Sequence, residues 1–158
     1  MKIPMTVNGV NALRKELEHL KNEERPRIAK LIGEARALGD LRENAEYHSA
    51  RETQGLVEAR IRDIEAKIAN ANIVDVTKIA HDGSVVFGAT VELVNLSGGS
   101  TSRYQLVGED EANAEQGKVS INAPIARALI GKRCGDVVSV TTPSGVLELE
   151  VAKVEYLN

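Results

Sequence analysis

The stretch GDLRENAEYH, residues 39–48, separates two long segments of helical periodicity, and we call it the tip. Gly39 predicts a break, because glycine enters the left-handed backbone region that commonly ends a helix without a Cβ penalty. Asp40 is a candidate N-cap for the next helix, and Glu43 would complete an acidic version of the capping box. The stretch therefore predicts a helix, a sharp turn and a second helix.

Apolar residues before the tip recur at spacings of three and four, the pattern of a helical face packed against a partner. They are Val10, Leu13, Leu17, Leu20, Ile28, Leu31, Ala35 and Leu38. The phase of this pattern changes beside Pro26, and we expect a kink or a restart there because proline removes a backbone donor. Asn8 or Asn11 is a candidate N-cap for the first segment.

The segment after the tip keeps the same alternation over about three heptads. Its members are Ala50, Gln54, Val57, Ile61, Ile64, Ile68 and Ala71. A short connection makes the two helices antiparallel. Small residues near the turn, namely Ala35, Ala45 and Ala50, predict a slim end. Residues 1–75 are therefore expected to form an α-helical coiled-coil hairpin with an acidic tip.

After residue 72 the periodicity changes from helical to alternating, which is typical of β-strands. Strands are predicted over residues 74–79, 85–96, 103–107, 118–121, 137–141 and 146–154, and a short helix over residues 124–130. Residues 76–158 are therefore expected to form an α+β domain of antiparallel strands with one short helix on a face.

Charge and composition exclude several classes of protein. Residues 1–75 contain 13 Lys+Arg and 13 Asp+Glu, and residues 76–158 contain 7 and 10, which accounts for the net charge of −3. A protein that clamps DNA is normally strongly basic, whereas balanced charge is typical of a solvated coiled coil. The single cysteine, Cys134, excludes an intrachain disulfide, and neither a signal segment nor a membrane-spanning run is present. We expect a cytoplasmic monomer.

Four segments resemble one known family. They are GDLRENAEYH at 39–48, IPMT at 3–6, VFGATV at 86–91 and SINAPIARALIGK at 120–132. With their spacing, they are similar to the GreA family of bacterial transcript-cleavage factors, over essentially the whole chain. The resemblance implies a factor that binds bacterial RNA polymerase, inserts its coiled coil through the secondary channel and stimulates the polymerase to hydrolyse the 3′ end of a backtracked transcript. It also implies an FKBP-like C-terminal domain that docks at the channel rim, and a chain that is not itself an enzyme.

The acidic residues of the tip have two interpretations. Asp40 and Glu43 could only cap the second helix. Alternatively, they reach a divalent ion, although two carboxylates cannot fill the six-coordinate shell of Mg²⁺. The resemblance implies that the polymerase supplies the missing ligands and that Asp40 and Glu43 steady a second Mg²⁺ and its attacking water. No cofactor bound by the chain alone and no small-molecule substrate are expected.

Two further groups of residues have implied contacts. Arg36 and Arg51 match basic family positions that contact the RNA 3′ segment in the backtracked complex, where a guanidinium suits phosphate, and the alternative is that both are simply solvated. Asn122, Ala123 and Pro124 are implied to touch the polymerase rim, and the alternative is an amphipathic helix that only covers the sheet. The three histidines and Cys134 show no ligand or nucleophile pattern.

Three other functions compete with this interpretation. A prolyl isomerase would need an aromatic cleft, and the chain has one Phe, three Tyr and no Trp. A secondary-channel inhibitor would lack productive acids at the tip, which here keeps Asp40 and Glu43. An RNA-binding arm like that of a synthetase should be basic along its length, whereas the charges of residues 1–75 cancel.

Overall fold

The computed structural model describes residues 2–39, 44–79 and 81–157. The chain divides into two compact units: Val10–Ala71, which we call the hairpin unit, and Met1–Gly9 together with Asn72–Asn158, which we call the globular unit. The boundary expected near residue 75 lies close to the division at Ala71. Residues 1–9 group with the globular unit instead, because strand β1 (Ile3–Thr6) pairs with β2 (Ala71–Val74).

The hairpin unit is built from three helices. They are α1 (Val7–His19), α2 (Arg25–Arg36) and α3 (Ala45–Ala69), with a π-helical turn (Leu20–Glu24) between α1 and α2. Pro26 lies in the first turn of α2, where a missing backbone donor is tolerated. The expected change of phase beside Pro26 is present, and the π-helical turn takes it up while the backbone of Glu24 and Arg25 stays helical, so the helix does not restart. No helix in the described ranges is long and apolar enough to cross a membrane.

The helical start differs from the prediction. Thr6, which precedes α1, is the N-cap, because its hydroxyl accepts the backbone N–H of Gly9 at 3.0 Å. The expectation of Asn8 or Asn11 as the cap is wrong, since both lie inside the helix. Thr6 was overlooked because the four residues of β1 give too short a pattern to mark where the helix begins.

The two arms run antiparallel, because Arg25 on α2 contacts Glu58 whereas Ala35, farther along α2, contacts Asn44. The buried residues of the seam are Val10, Leu13, Ile28, Ile32, Ala35, Ala50, Ile61 and Ile64. Two expected members are wrong: Leu31 is 42% exposed, whereas its neighbour Ile32 is 8% exposed, and Leu38 is 67% exposed. The π-helical turn before α2 shifts the inward face by one residue, so Ile32 takes the place of Leu31.

The globular unit contains a five-stranded sheet and a short helix. Its elements are β3 (Thr90–Asn95), β4 (Thr101–Val107), β5 (Lys118–Ser120), α4 (Pro124–Leu129), β6 (Val137–Thr142) and β7 (Gly145–Glu155), with strand order β5-β4-β3-β7-β6. The α+β architecture with one short helix is confirmed. The expectation of antiparallel pairing is wrong at β5, which runs parallel to β4 because residues 108–117 carry the chain back before β5 begins.

Two predicted strands also differ. Residues 74–79 do not form a strand: β2 ends at Val74, and a 3₁₀ turn (Val76–Lys78) follows. Asp75 caps this turn by accepting the backbone N–H of Thr77 at 3.1 Å. The strand expected from residue 85 begins at Thr90 instead. One face of the five-stranded sheet and α4 enclose a core of Val85, Val91, Leu93, Leu106, Ala126, Leu129, Val138, Val140, Leu149 and Val151.

Candidate functional site: the hairpin tip and the turn before α4

Asn44 joins the two arms of the hairpin at the tip. Its side-chain oxygen accepts the backbone N–H of Tyr47 at 3.1 Å, which makes it the N-cap of α3. Its side-chain nitrogen donates to the backbone oxygen of Ala35 at 2.5 Å. A single side chain thus caps the second arm and adds a hydrogen bond to a carbonyl near the end of the first arm, which also accepts the backbone N–H of Leu38 at 3.1 Å.

This geometry changes the interpretation of the acidic residues. The prediction that Asp40 caps the second helix is wrong, because that helix begins at Ala45 and Asn44 occupies the cap position. Asp40 and Glu43 themselves lie outside the described residues, so their placement stays a prediction. Capping of α3 was the alternative role for these two carboxylates, and the structure shows that Asn44 performs it.

The first arm ends as the sequence predicts. Gly39 has a φ of +116°, a backbone conformation that residues with a side chain rarely adopt. Its backbone N–H donates to the backbone oxygen of Arg36 at 3.3 Å. Of the small residues expected at this end, Ala35 and Ala50 are buried between the arms and Ala45 is exposed. Two of the three small residues therefore lie on the inner faces of the arms.

Arg36 lies over an aromatic ring. Its guanidinium carbon is 5.9 Å from the centroid of the Tyr47 ring, within cation–π range, and the side chain is exposed. Tyr47 is half-buried and packs against the cluster of Ile28, Ile32 and Ala50. The ring therefore supports Arg36 from below, a role that the sequence analysis missed. No local sequence signal marked this role, because the contact joins residues on the two arms.

Arg51 is exposed on the opposite arm. Its Nη1 donates to Oε1 of Gln54 at 3.0 Å, so its neighbour on α3 is neutral. Within the described residues, no three His, Cys, Asp or Glu side chains are grouped so that they could hold a metal ion. The arms thus carry one exposed arginine on each side of the tip, Arg36 before it and Arg51 after it.

Farther from the tip, the arms are joined by ion pairs. Arg60 binds Glu16 through two hydrogen bonds, Nε to Oε2 at 2.6 Å and Nη2 to Oε1 at 2.8 Å. Arg25 binds Glu58 in the same two-pronged way at 3.0 and 2.7 Å. The hydrogen bonds and positive charge of Arg60 lower the pKa of Glu16, and those of Arg25 lower the pKa of Glu58. Much of the charge on the hairpin is therefore paired within it.

The second candidate region is the turn before α4. Ala123 is the N-cap position of α4 and makes no side-chain cap, while Pro124 lies in the first turn. Asn122 donates its side-chain N–H to Glu109 at 3.2 Å and its backbone N–H to the hydroxyl of Ser120 at 3.1 Å. Asn122 and Pro124 are exposed. The turn is thus an outward-facing surface held by local hydrogen bonds.

The helix that follows this turn is amphipathic, as the alternative interpretation expected. Ala126 and Leu129 are fully buried in the sheet core, whereas Arg127 is exposed. Burial of α4 fixes the turn on the globular unit. Covering the sheet and presenting the turn are therefore two roles of one element.

Residues set aside by the sequence analysis have local partners. His19 contacts Glu23 and Glu24, and His81 stacks on Tyr156 with ring centroids 4.6 Å apart. The Cys134 thiol is exposed and donates to the backbone oxygen of Ala152 at 3.1 Å. These contacts are structural.

Comparison with known proteins gives matches along the whole chain. The family descriptions "Transcription elongation factor, N-terminal" and "Transcription elongation factor, GreA/GreB, C-term" match residues 3–73 and 80–156. Transcription elongation factor GreA of Pseudomonas aeruginosa is 58% identical over 156 residues, which cover 99% of each chain. The same factor of Methylococcus capsulatus is 55% identical over 99% of each chain. The crystal structure of GreA factor homolog 1 of Thermus thermophilus aligns with 98% of this chain and 99% of that chain at 28% identity and a TM-score of 0.43. The chain belongs to the GreA/GreB family of transcription elongation factors.

Proposed function

We propose that this chain binds bacterial RNA polymerase and stimulates the polymerase to cleave the 3′ end of backtracked nascent RNA, which rescues arrested complexes. The observation that carries the proposal is an antiparallel hairpin in a member of the GreA/GreB family, with Asp40 and Glu43 between the end of α2 at Arg36 and the start of α3 at Ala45. The chain is not the catalyst. It supplies two carboxylates to an active centre that belongs to the polymerase, in the cytoplasm and as a monomer.

The shape of the hairpin suits insertion into a narrow passage. The 25 residues of α3 correspond to about 37 Å at the α-helical rise. Two packed helices are much thinner than a globular domain, and the seam and ion pairs oppose bending. The hairpin can therefore enter the secondary channel of the polymerase, the route that the family resemblance implies.

The tip carboxylates fit a shared Mg²⁺ site. Carboxylate oxygens are the ligands that Mg²⁺ prefers, and two of them leave most of the octahedral shell for water and for ligands of the polymerase. In such a site the ion would lower the pKa of a bound water and stabilise negative charge on the scissile phosphate. Asp40 and Glu43 would hold that ion in part, while Asn44 fixes the end of the connection that carries them.

The other residues would bind and orient the complex. Arg36, supported by the Tyr47 ring, and Arg51 would contact phosphates of the extruded RNA. Asn122, Ala123 and Pro124 would touch the rim of the channel from the turn before α4. None of these side chains takes part in proton transfer.

The decisive experiment adds the purified protein to a stalled, backtracked elongation complex. We expect RNA shortening that requires both polymerase and Mg²⁺. The variant Asp40→Asn with Glu43→Gln should abolish this shortening while it leaves folding and polymerase binding nearly unchanged. A control variant, Glu34→Gln with Glu52→Gln, makes the same change of charge on exposed hairpin positions and should cleave normally. Full cleavage by the Asp40/Glu43 variant would refute the assigned role.

A second experiment tests the RNA contacts. Arg36→Ala with Arg51→Ala should lower crosslinking of the protein to the transcript, because two guanidinium groups near the tip are lost. Arg14→Ala with Arg62→Ala removes the same charge from exposed positions elsewhere on the hairpin. Equal crosslinking by the two double variants would mean that Arg36 and Arg51 are simply solvated.

A further inference from the structure

Arginines of the hairpin unit differ in the charge of the groups that hold them. Away from the tip, three guanidinium groups bind carboxylates, in the pairs Arg25–Glu58, Arg60–Glu16 and Arg27–Glu24. The positive charge of these three is balanced within the hairpin. Arg36 and Arg51, which flank the tip, are exposed and contact neutral groups instead. In the part of the chain that the structure describes, neither takes part in an ion pair.

The ring of Tyr47 holds Arg36 across the two arms. Arg36 is the last residue of α2, and Tyr47 lies in the first turn of α3. Three contacts fix the ring: its backbone N–H donates to Asn44, its half-buried body packs on the buried cluster of the hairpin, and the His48 ring meets it edge-on with centroids 5.6 Å apart. The face of an aromatic ring attracts a cation but leaves its positive charge in place.

The amide of Gln54 holds Arg51 along a single arm. The two residues are three positions apart on α3, so they are neighbours on the surface of the helix, and Nη1 of Arg51 donates to Oε1 of Gln54 at 3.0 Å. Farther along the same helix, Nη1 of Arg60 donates to Oδ2 of Asp63 at 2.9 Å with the same spacing. The two contacts differ in charge, because Asp63 is a carboxylate whereas Gln54 supplies a similar hydrogen bond and stays neutral.

We propose that Tyr47 and Gln54 are positioning residues, which hold the guanidinium groups of Arg36 and Arg51 ready for the transcript without cancelling their charge. This inference rests on the proposed function, which assigns both arginines to phosphates of the extruded RNA. A long side chain loses rotamer freedom when it binds, and a support that is present beforehand removes part of that loss. A carboxylate support would compete with the phosphate for the same donors. Tyr47 and Gln54 touch neither the metal nor the scissile phosphate.

The first test is a double-mutant cycle on crosslinking of the protein to the transcript in backtracked complexes. Tyr47→Leu removes the ring but keeps an apolar side chain, and it should lower crosslinking at subsaturating protein by about twofold to fivefold. In the Arg36→Ala background the same change should have no further effect, because no guanidinium is left to hold. Tyr47→Phe keeps the ring face and should restore crosslinking. An equal loss in both backgrounds would make Tyr47 a packing residue and overturn its positioning role.

The second test changes the charge of a support and keeps its shape, and it carries the proposal if Tyr47→Leu does not fold. Gln54→Glu should lower crosslinking by about twofold, because the carboxylate pairs with Arg51. In the Arg51→Ala background the loss should be smaller, which separates pairing from simple repulsion of RNA by the added charge. Asn11→Glu adds the same charge at an exposed position of α1 and should crosslink normally. Normal crosslinking by Gln54→Glu, or an equal loss in both backgrounds, would overturn the role of a neutral support.

The NMR spectrum of the free protein separates this inference from the proposed function. The ring current of Tyr47 should shift side-chain proton signals of Arg36 upfield, and this shift should disappear in Tyr47→Leu and persist in Tyr47→Phe. An unchanged protein without the shift would overturn the support of Arg36 by Tyr47, whatever the crosslinking shows. An unchanged protein that does not crosslink to the transcript would instead overturn the proposed RNA contacts, and the purpose of both supports with them, even where the shift is present.

Discussion

The hairpin unit and the globular unit are stabilised in different ways. The globular unit buries a continuous cluster of ten residues between its sheet and α4, whereas the cluster near the tip of the hairpin has three buried members, Ile28, Ile32 and Ala50. The arms of the hairpin are joined in addition by exposed ion pairs, such as Glu16–Arg60 and Arg25–Glu58. Burial contributes about 25 cal/mol per Å² of apolar surface, while an exposed ion pair contributes about 0–1 kcal/mol.

This difference follows from shape. A hairpin of two helices has a single seam, so most of its surface meets water, and a wider core would make the hairpin thicker. Ion pairs across the seam help to fix the alignment of the two arms without thickening the hairpin, because opposite charges meet only in one alignment of the arms. A slim shape and a large core are therefore incompatible, and the chain assigns them to separate units.

The largest effect should come from the core of the globular unit. Leu106, on β4, is fully buried, so Leu106→Ala removes buried methylenes and leaves a cavity. We expect a loss of about 2–5 kcal/mol in the free energy of unfolding, measured by chemical denaturation. Leu38→Ala is the matched control, because Leu38 is 67% exposed and should change stability by no more than about 0.5 kcal/mol. Similar losses of stability in both variants would mean that burial of Leu106 in the core of the globular unit does not account for the effect.

Acid should weaken the hairpin unit more than the globular unit. Arginine partners lower the pKa of Glu16 and Glu58, and Lys67 with Arg60 lowers the pKa of Asp63, each below its value in the unfolded chain. These groups therefore contribute stability above the unfolded pKa, about 4, and lose it as the pH falls through the lower folded pKa.

The ring signals of Tyr47 and Tyr104 report the two units separately in a thermal NMR experiment, since Tyr47 packs on the hairpin cluster and Tyr104 on the globular core. Between neutral pH and about pH 3, the melting temperature reported by Tyr47 should fall further than that reported by Tyr104. High salt should narrow the gap by screening the ion pairs. Equal shifts for the two rings would show that charge does not distinguish the units.

A smaller effect is expected at the turn before α4. Ala123 occupies an N-cap position but cannot accept a backbone N–H, so Ala123→Ser should stabilise the globular unit by about 1 kcal/mol. Chemical denaturation monitored at Tyr104 measures the change. Ala128→Ser places the same hydroxyl within the helix and should not stabilise. No gain from Ala123→Ser would mean that the first turn of α4 is already satisfied.

The sequence predicted elements well where a long pattern repeats. The three-four alternation along α3 and the alternation along β7 each extend over many residues, so single exceptions did not hide them. The sequence-based prediction was wrong where a single residue sets the start of a helix: Thr6 rather than Asn8 caps α1, and Asn44 rather than Asp40 caps α3. Several polar residues in a row can each cap a helix, and only packing selects one.

The candidate site also contains features that the local sequence predicts and contacts that it does not. The break at Gly39 could be predicted from local chemistry, whereas the roles of Arg36 and Arg51 stay predictions that rest on family resemblance. The support of Arg36 by Tyr47 and the hydrogen bond from the backbone N–H of Thr6 to the Glu111 carboxylate could not be predicted, because each joins residues that are not neighbours in the sequence. A glycine at the third position of a helix, as at Gly9, is a weak signal on its own, and its meaning appears only when Glu111 lies beside it.

The smallest effect concerns a single ion pair of the hairpin. Glu16 and Arg60 make two parallel hydrogen bonds, the strongest geometry for such a pair, but both side chains are about two-fifths exposed. A double-mutant cycle with Glu16→Gln and Arg60→Gln should give a coupling energy of about 0.5–1 kcal/mol, at the upper end for exposed pairs. The pair Lys21–Glu65 has one longer contact, 3.2 Å, and its cycle should give less. A coupling of Glu16 with Arg60 near zero would mean that the register of the arms is set by the apolar seam alone, and the ion pairs would then have no part in what distinguishes the two units.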